Sequence, residues 1–132
     1  QAYDSDGCIR PVTVQTFADS VAVSLPRNGT MAIQDIKASG GLVETATDDE
    51  ILEAIKLLGR SVGIFSEPAG VLGLAVLVKL CAKREISKDE RVALIVSGSG
   101  LKDVDAVHRG LKPPKSLSCS IDAVRAHLEI RA

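Results

Sequence analysis

The sequence predicts an α/β fold with a mostly parallel sheet. Two observations carry this: short aliphatic runs alternate with helical patterns of ten residues or more, and Gly, Pro or Ser turn signals separate them. At 132 residues and 13.9 kDa the chain is the length of one domain. A globule of this mass buries roughly two thirds of the surface of its unfolded chain, enough for a true core.

The elements read in order as follows. Residues 1–10 are polar and turn-rich, with Asp6-Gly7 as the clearest breaker. Val12, Val14 and residues 21–25 read as short extended pieces, and Pro26-Arg27-Asn28-Gly29 as a turn. Thr30 is placed to cap a helix reaching about Ser39, with Met31, Ile33 and Ile36 on its apolar side and Gly40-Gly41 as its stop. Residues 42–46 are a candidate strand. Thr47-Asp48-Asp49-Glu50 is a capping box, in which two otherwise orphaned amide donors are satisfied reciprocally. Ile51, Leu52, Ile55 and Leu58 repeat behind it at helical spacing. Residues 63–66 form a short link or strand. Pro68 suits the first position of a helix reaching about Arg84, apolar nearly all round and therefore expected to be buried, with Cys81 as a core thiol. Residues 91–96 predict a buried strand, Ser97-Gly98-Ser99-Gly100 a turn out of it, and Pro113-Pro114 a stiff linker. Ser120 then caps a last helix carrying Ile121, Val124 and Leu128 on one face.

Composition excludes several classes of function. Sixteen Lys and Arg against seventeen Asp and Glu give a net charge of −1, and the pI is about 6.1, so neither nucleic acid nor an anionic membrane is expected as a bulk electrostatic partner. Tyr3, Phe17 and Phe65 are the only aromatic residues, too few for base-stacking platforms. Cys8, Cys81 and Cys119 are odd in number and lack metal-ligand spacing, which favours a reducing compartment over a disulfide scaffold. The apolar run at residues 69–78 is too short to span a bilayer. The sequence begins Gln-Ala-Tyr-Asp without Met, as expected of a processed chain or a piece of a longer one.

Two places could carry chemistry. The first is the strand exit at residues 92–103, where glycines allow close backbone approach and Ser97 and Ser99 supply hydroxyls at the sheet edge that α/β folds use for ligands. Its spacing fits neither a P-loop nor a dinucleotide fingerprint. The second is Ser66-Glu67-Pro68-Ala69-Gly70, where a carboxylate sits at a helix start and small residues permit close approach to a neighbour or a ring; helix capping is the simpler role for Glu67. His108 and His127 are isolated, and Asp48, Asp49, Glu50 and Glu53 are explained by capping and a solvated face. Asp103 and Asp105 are placed to cap the helix after Lys102. No metal site and no nucleophilic triad can be assembled.

At these residues the chain resembles the C-terminal part of threonine synthases, pyridoxal-phosphate-dependent enzymes of fold-type II, the tryptophan-synthase-β fold. The likeness rests on Glu67-Pro68-Ala69-Gly70, Asp89-Glu90-Arg91-Val92 and Ser97-Gly98-Ser99-Gly100-Leu101-Lys102-Asp103. Upstream it extends through Thr16 to Ser20, Pro26-Arg27-Asn28, Ser39-Gly40-Gly41 and residues 48–54. The Gly-Leu-Lys-Asp ending is fairly specific to threonine synthases, whereas Glu-Pro-Ala-Gly is shared with threonine dehydratases and serine racemases.

The resemblance implies a three-layer α/β/α arrangement. Residues 1–110 would be the C-terminal part of the cofactor-binding large domain, and 111–132 a linker and terminal helix. It implies pyridoxal 5'-phosphate as cofactor, with Ser97, Gly98 and Glu67 contacting it. Ser97 stands where the family usually has Thr, whose hydroxyl meets the pyridine nitrogen, and Ser99 stands where the family often has His or Asn. It further implies a cytoplasmic, homo-oligomeric lyase of threonine biosynthesis that converts O-phospho-L-homoserine and water to L-threonine and phosphate. The Schiff-base lysine and the phosphate-binding Gly-rich loop lie upstream of the matched region in that family, so this segment holds no catalytic residue and is expected to be inert without the remainder of the enzyme. Two alternatives stay open: part of a serine or threonine dehydratase, and a stand-alone module that binds a ligand or partner.

Overall fold

In the computed structural model, which describes residues 2–111 and 115–128, the described chain forms helices α1 (Gly29–Ala38), α2 (Asp48–Val62), α3 (Pro68–Ala82), α4 (Val104–His108) and α5 (Ile121–His127). Single 3-10 turns lie at Asp19–Val21 and Gly100–Lys102. The start signals act as their chemistry requires. The Thr47 hydroxyl accepts the Glu50 N–H at 3.2 Å, and the Glu50 carboxylate accepts the Thr47 N–H at 2.7 Å. Pro68 opens α3, and the Ser120 hydroxyl accepts the Ala123 N–H at the start of α5. One expectation shifts: α1 begins at Gly29, with Asn28 rather than Thr30 in the cap position and no side-chain cap. It ends as predicted, with Gly40 at φ +67 and the Gly41 N–H reaching back to the Ile36 carbonyl at 2.8 Å.

The core is the seam between α2 and α3. Ile51, Ala54, Ile55 and Leu58 fall at the i, i+3, i+4, i+7 positions of one helical face, and all are buried with Val71 and Ala75 of α3. Burying each large aliphatic side chain contributes on the order of 2 kcal/mol. Ala18 and Val107 complete the cluster from the two flanking segments. Polar ties close the upper rim, where the Lys79 ammonium donates to the Thr45 carbonyl at 2.9 Å and to Glu50 at 3.2 Å.

Three expectations need correction. Helix α3 is not buried all round: Pro68, Gly70, Val71 and Ala75 are buried, while Val78 is half exposed. Cys81 is exposed, as are Cys8 and Cys119. The reason is common to both. Apolar composition permits burial but does not supply a covering surface, and α2 covers only one stripe of α3. Residues 91–96 are likewise not interior, and Ile95 is 84% exposed.

The strands expected at 42–46, 63–66 and 91–96 form no ladder among the described residues; an isolated antiparallel bridge joins Ser66 to Ser99. A strand exists through its neighbours' hydrogen bonds, whereas a helix satisfies its own. The extended pieces near Val12 and residues 21–25 meet through one bond, from the Val12 N–H to the Ser24 carbonyl at 3.0 Å. The Pro113-Pro114 linker lies outside the described residues.

Candidate functional site

The two segments singled out in the sequence meet. Around the Ser66–Ser99 bridge, the Glu67 N–H donates to the Gly98 carbonyl at 3.1 Å and the Gly100 N–H donates to the Phe65 carbonyl at 3.0 Å. Ser66 is fully buried, and its hydroxyl points at the Gly98 and Glu67 carbonyls at 3.1 and 3.0 Å. The start of α3 is thus pinned to the turn at residues 97–100.

Glycine is required on both sides of this contact. A Cβ on Gly70 would lie 2.7 Å from the Ser66 hydroxyl and 2.8 Å from the Gly98 nitrogen. A Cβ on Gly98 would fall on the Glu67 carboxylate itself. The small residues at the start of α3 therefore permit close backbone approach, as their sequence pattern predicts.

Glu67 occupies the cap position of α3, yet its side chain caps nothing. It turns instead toward Gly98, and the residue is only 5% exposed. One carboxylate oxygen, Oε1, is the atom nearest the Gly98 Cβ direction; the other, Oε2, lies 3.2 Å from the Lys102 ammonium. That ammonium also donates to the Ser20 hydroxyl at 3.1 Å. Lys102 is carried by the 3-10 turn that follows Ser99, whose hydroxyl accepts the Leu101 N–H at 3.3 Å. Ser99 therefore acts as a turn cap. Asp103 accepts the Ala106 N–H at 3.1 Å and starts α4, whose buried Ala106 and Val107 anchor the far side.

Ser97 is exposed, with no hydrogen-bond partner for its hydroxyl among the described residues. Of the residues that the sequence singled out, the structure sets Gly98, and Ser97 beside it, against Glu67. The sequence named Ser66 within the segment that opens α3, but not the buried bonds of its hydroxyl or the Lys102–Glu67 pair. A contact across thirty-five residues has no local signature, and Lys102 looks in sequence like any solvated turn lysine.

Chemically, the cluster offers an exposed neutral hydroxyl, a backbone stretch without a side chain, and a buried carboxylate paired to an ammonium. Its free group is the exposed Ser97 hydroxyl, a neutral donor and acceptor, while the side-chain space of Gly98 is filled by the Glu67 carboxylate. The ammonium of Lys102 is engaged by both Glu67 and Ser20. An open polar hollow of about 390 Å³ adjoins Glu67 and Lys102 and is lined also by Phe17, Ser20, Asp105 and Arg109. A larger hollow of about 520 Å³ between α2 and α3, floored by Ala54, Leu57, Ala75 and Val78, includes none of the three candidate residues. Among the described residues no group of three or more His, Cys, Asp or Glu could hold a metal ion, and no helix is long and apolar enough to cross a membrane. His108 and His127 are exposed.

The family model for pyridoxal-phosphate dependent enzymes matches residues 2–98, a span that includes Glu67, Ser97 and Gly98. This chain belongs to that family. Its α/β class follows from the membership. Among curated proteins, the chain is 40% identical over 115 residues to the threonine synthase of Methanocaldococcus jannaschii, covering 87% of this chain and 28% of that protein. It is 40% identical over 111 residues to the threonine synthase of Methanosarcina acetivorans, covering 84% of this chain and 27% of that protein. It is 30% identical over 116 residues to that of a Bacillus species, covering 87% and 33% respectively. The chain therefore spans a quarter to a third of the length of these relatives.

Proposed function

We propose that this chain is the C-terminal part of a threonine synthase, which converts O-phospho-L-homoserine and water to L-threonine and phosphate with pyridoxal 5'-phosphate. The observation that carries the reading is the 40% identity to threonine synthases over 87% of the chain. Residues 1–110 belong to the cofactor-binding large domain and 111–132 to a linker and terminal helix. The extended segments at 42–46 and 91–96 take their places in a parallel sheet of a three-layer α/β/α domain when the remaining strands are present. The unpaired, exposed state of those segments supports this. The holoenzyme is a cytoplasmic homo-oligomer, and this segment alone turns over no substrate.

When bound, the cofactor supplies an electron sink for the reacting carbon, and the protein supplies position and electrostatics. Ser97 would offer the ring nitrogen a neutral hydroxyl, which does not compel protonation there as a carboxylate would. Gly98 yields its side-chain space to the Glu67 carboxylate, so that the turn carrying Ser97 can lie against the start of α3. Glu67, pressed against Gly98, holds that backbone in place and keeps a compensated negative charge behind it.

The test is made on the full polypeptide from its native source. A mass several times 13.9 kDa, a visible absorbance band from bound cofactor, and phosphate release from O-phosphohomoserine are expected. A native mass equal to that of this chain, without the band, would overturn the reading. Release of ammonia from serine or threonine in place of phosphate would assign the chain to the dehydratases.

A further inference from the structure

We infer that Lys102 is a positioning residue for the cofactor edge: its ammonium, bridging Glu67 and Ser20, fixes the Glu67 carboxylate against Gly98 and so sets where Ser97 stands. This rests on the proposed reading of Ser97 and Gly98 as cofactor contacts. The pair is unequal. The Lys102 side chain is 64% exposed and that of Glu67 only 7%. An exposed ion pair usually contributes little, because water screens both partners and competes for them. Here only one partner keeps its water. A carboxylate withdrawn from solvent needs a compensating charge, and among the described residues the Lys102 ammonium is the cation that reaches it.

The geometry makes the pairing directional. Oε2 faces Lys102 while Oε1 lies where a Gly98 side chain would be, so the carboxylate is a spacer between the ammonium and the Gly98 backbone. Ser20 holds the same ammonium from within the 3-10 turn at Asp19–Val21, so Lys102 cannot shift without breaking two contacts. Losing the ammonium would leave Glu67 to swing toward water through the adjoining hollow. The backbone at Gly98 would then lose its backing, and Ser97, one residue away, its fixed position.

The experiment uses the holoenzyme and Lys102→Met. Lys102 acts in this proposal on the cofactor edge alone, so the expected result is a loss of about tenfold in kcat with the KM for O-phosphohomoserine unchanged, together with a displaced cofactor absorbance band. Lys102→Arg keeps the charge and is expected to restore most of the rate and the wild-type band. Should Lys102→Met fail to fold, the K102M/E67Q double variant removes the charge that needs a partner and is expected to fold with a displaced band. Wild-type kcat and an unchanged band in Lys102→Met would overturn the positioning role while leaving the proposed function standing. An unchanged band in a folded double variant would do the same. Absence of the band from the wild-type protein would overturn both, which separates the two failures.

Discussion

Gly98 is where a single atom decides most. A Cβ there falls on the Glu67 carboxylate, so Gly98→Ala must displace either the carboxylate or the Ser66–Ser99 bridge. Forced overpacking of this kind is expected to cost about 1–3 kcal/mol, read from a urea unfolding midpoint. Ser97→Ala is the contrasting case. The side chain is exposed and holds nothing among the described residues, so stability is expected to change by less than about 0.5 kcal/mol while cofactor affinity in the holoenzyme falls. Equal losses of stability in the two variants would contradict this division. Glu44 carries a pH response at the end of α3. The Lys83 ammonium, followed by the Thr45 N–H, lowers its carboxyl from an ordinary 4.5 to about 2. Because the folded value is the depressed one, the tie between Glu44 and the end of α3 is complete above pH 4.5 and is lost as pH falls toward 2. A carboxyl NMR titration of Glu44 with its midpoint near 4.5 would show the tie to be absent.

At the scale of elements, what was legible in the sequence was whatever each element settles for itself. The Thr47 capping box, Pro68 at the head of α3, Ser120 at the head of α5 and Gly40 at the end of α1 all depend on residues within a turn of one another, and all stand where the sequence places them. Thr47→Ala is expected to cost about 1 kcal/mol of stability through the loss of one cap and its reciprocal bond, visible as a lowered urea midpoint. The end of α3 offers the opposite sign. Arg84 takes φ 61, a left-handed conformation that costs a residue with a Cβ about 1–2 kcal/mol. Arg84→Gly is therefore expected to raise stability by up to about 1 kcal/mol, after the entropy a glycine loses on folding. What the sequence could not supply was cover. The all-round apolar pattern of α3 and the aliphatic run at 91–96 state a capacity for burial, and Cys81 and Ile95 are exposed because no described element lies over them. The candidate site falls between these cases. Gly98 was visible as a residue suited to close approach, Ser97 as a hydroxyl at the turn and Glu67 as a carboxylate at a helix start. The Lys102–Glu67 pair arises only when the start of α3 and the turn at 100–102 meet.

For the whole molecule, the controlling quantity is surface. The chain exposes 10069 Å², about half as much again as the roughly 6,700 Å² of a compact globule of its mass. Much of the excess is apolar, including Val12, Val23, Leu42, Val92 and Ile95 from the extended segments. Such a surface belongs against further polypeptide. Produced alone, the 132-residue chain is expected to bind a hydrophobic dye and to self-associate in light scattering; a dye-silent monomer at high concentration would count against that. On the proposed reading, the same faces would become interior once joined to the rest of a synthase, and the turn at Ser97 and Gly98 would form one wall of the cofactor site. The most direct measurement is product analysis of the full polypeptide given O-phospho-L-homoserine. The expected result is L-threonine and inorganic phosphate in equal amounts. No threonine from a folded, cofactor-loaded protein would contradict the central claim.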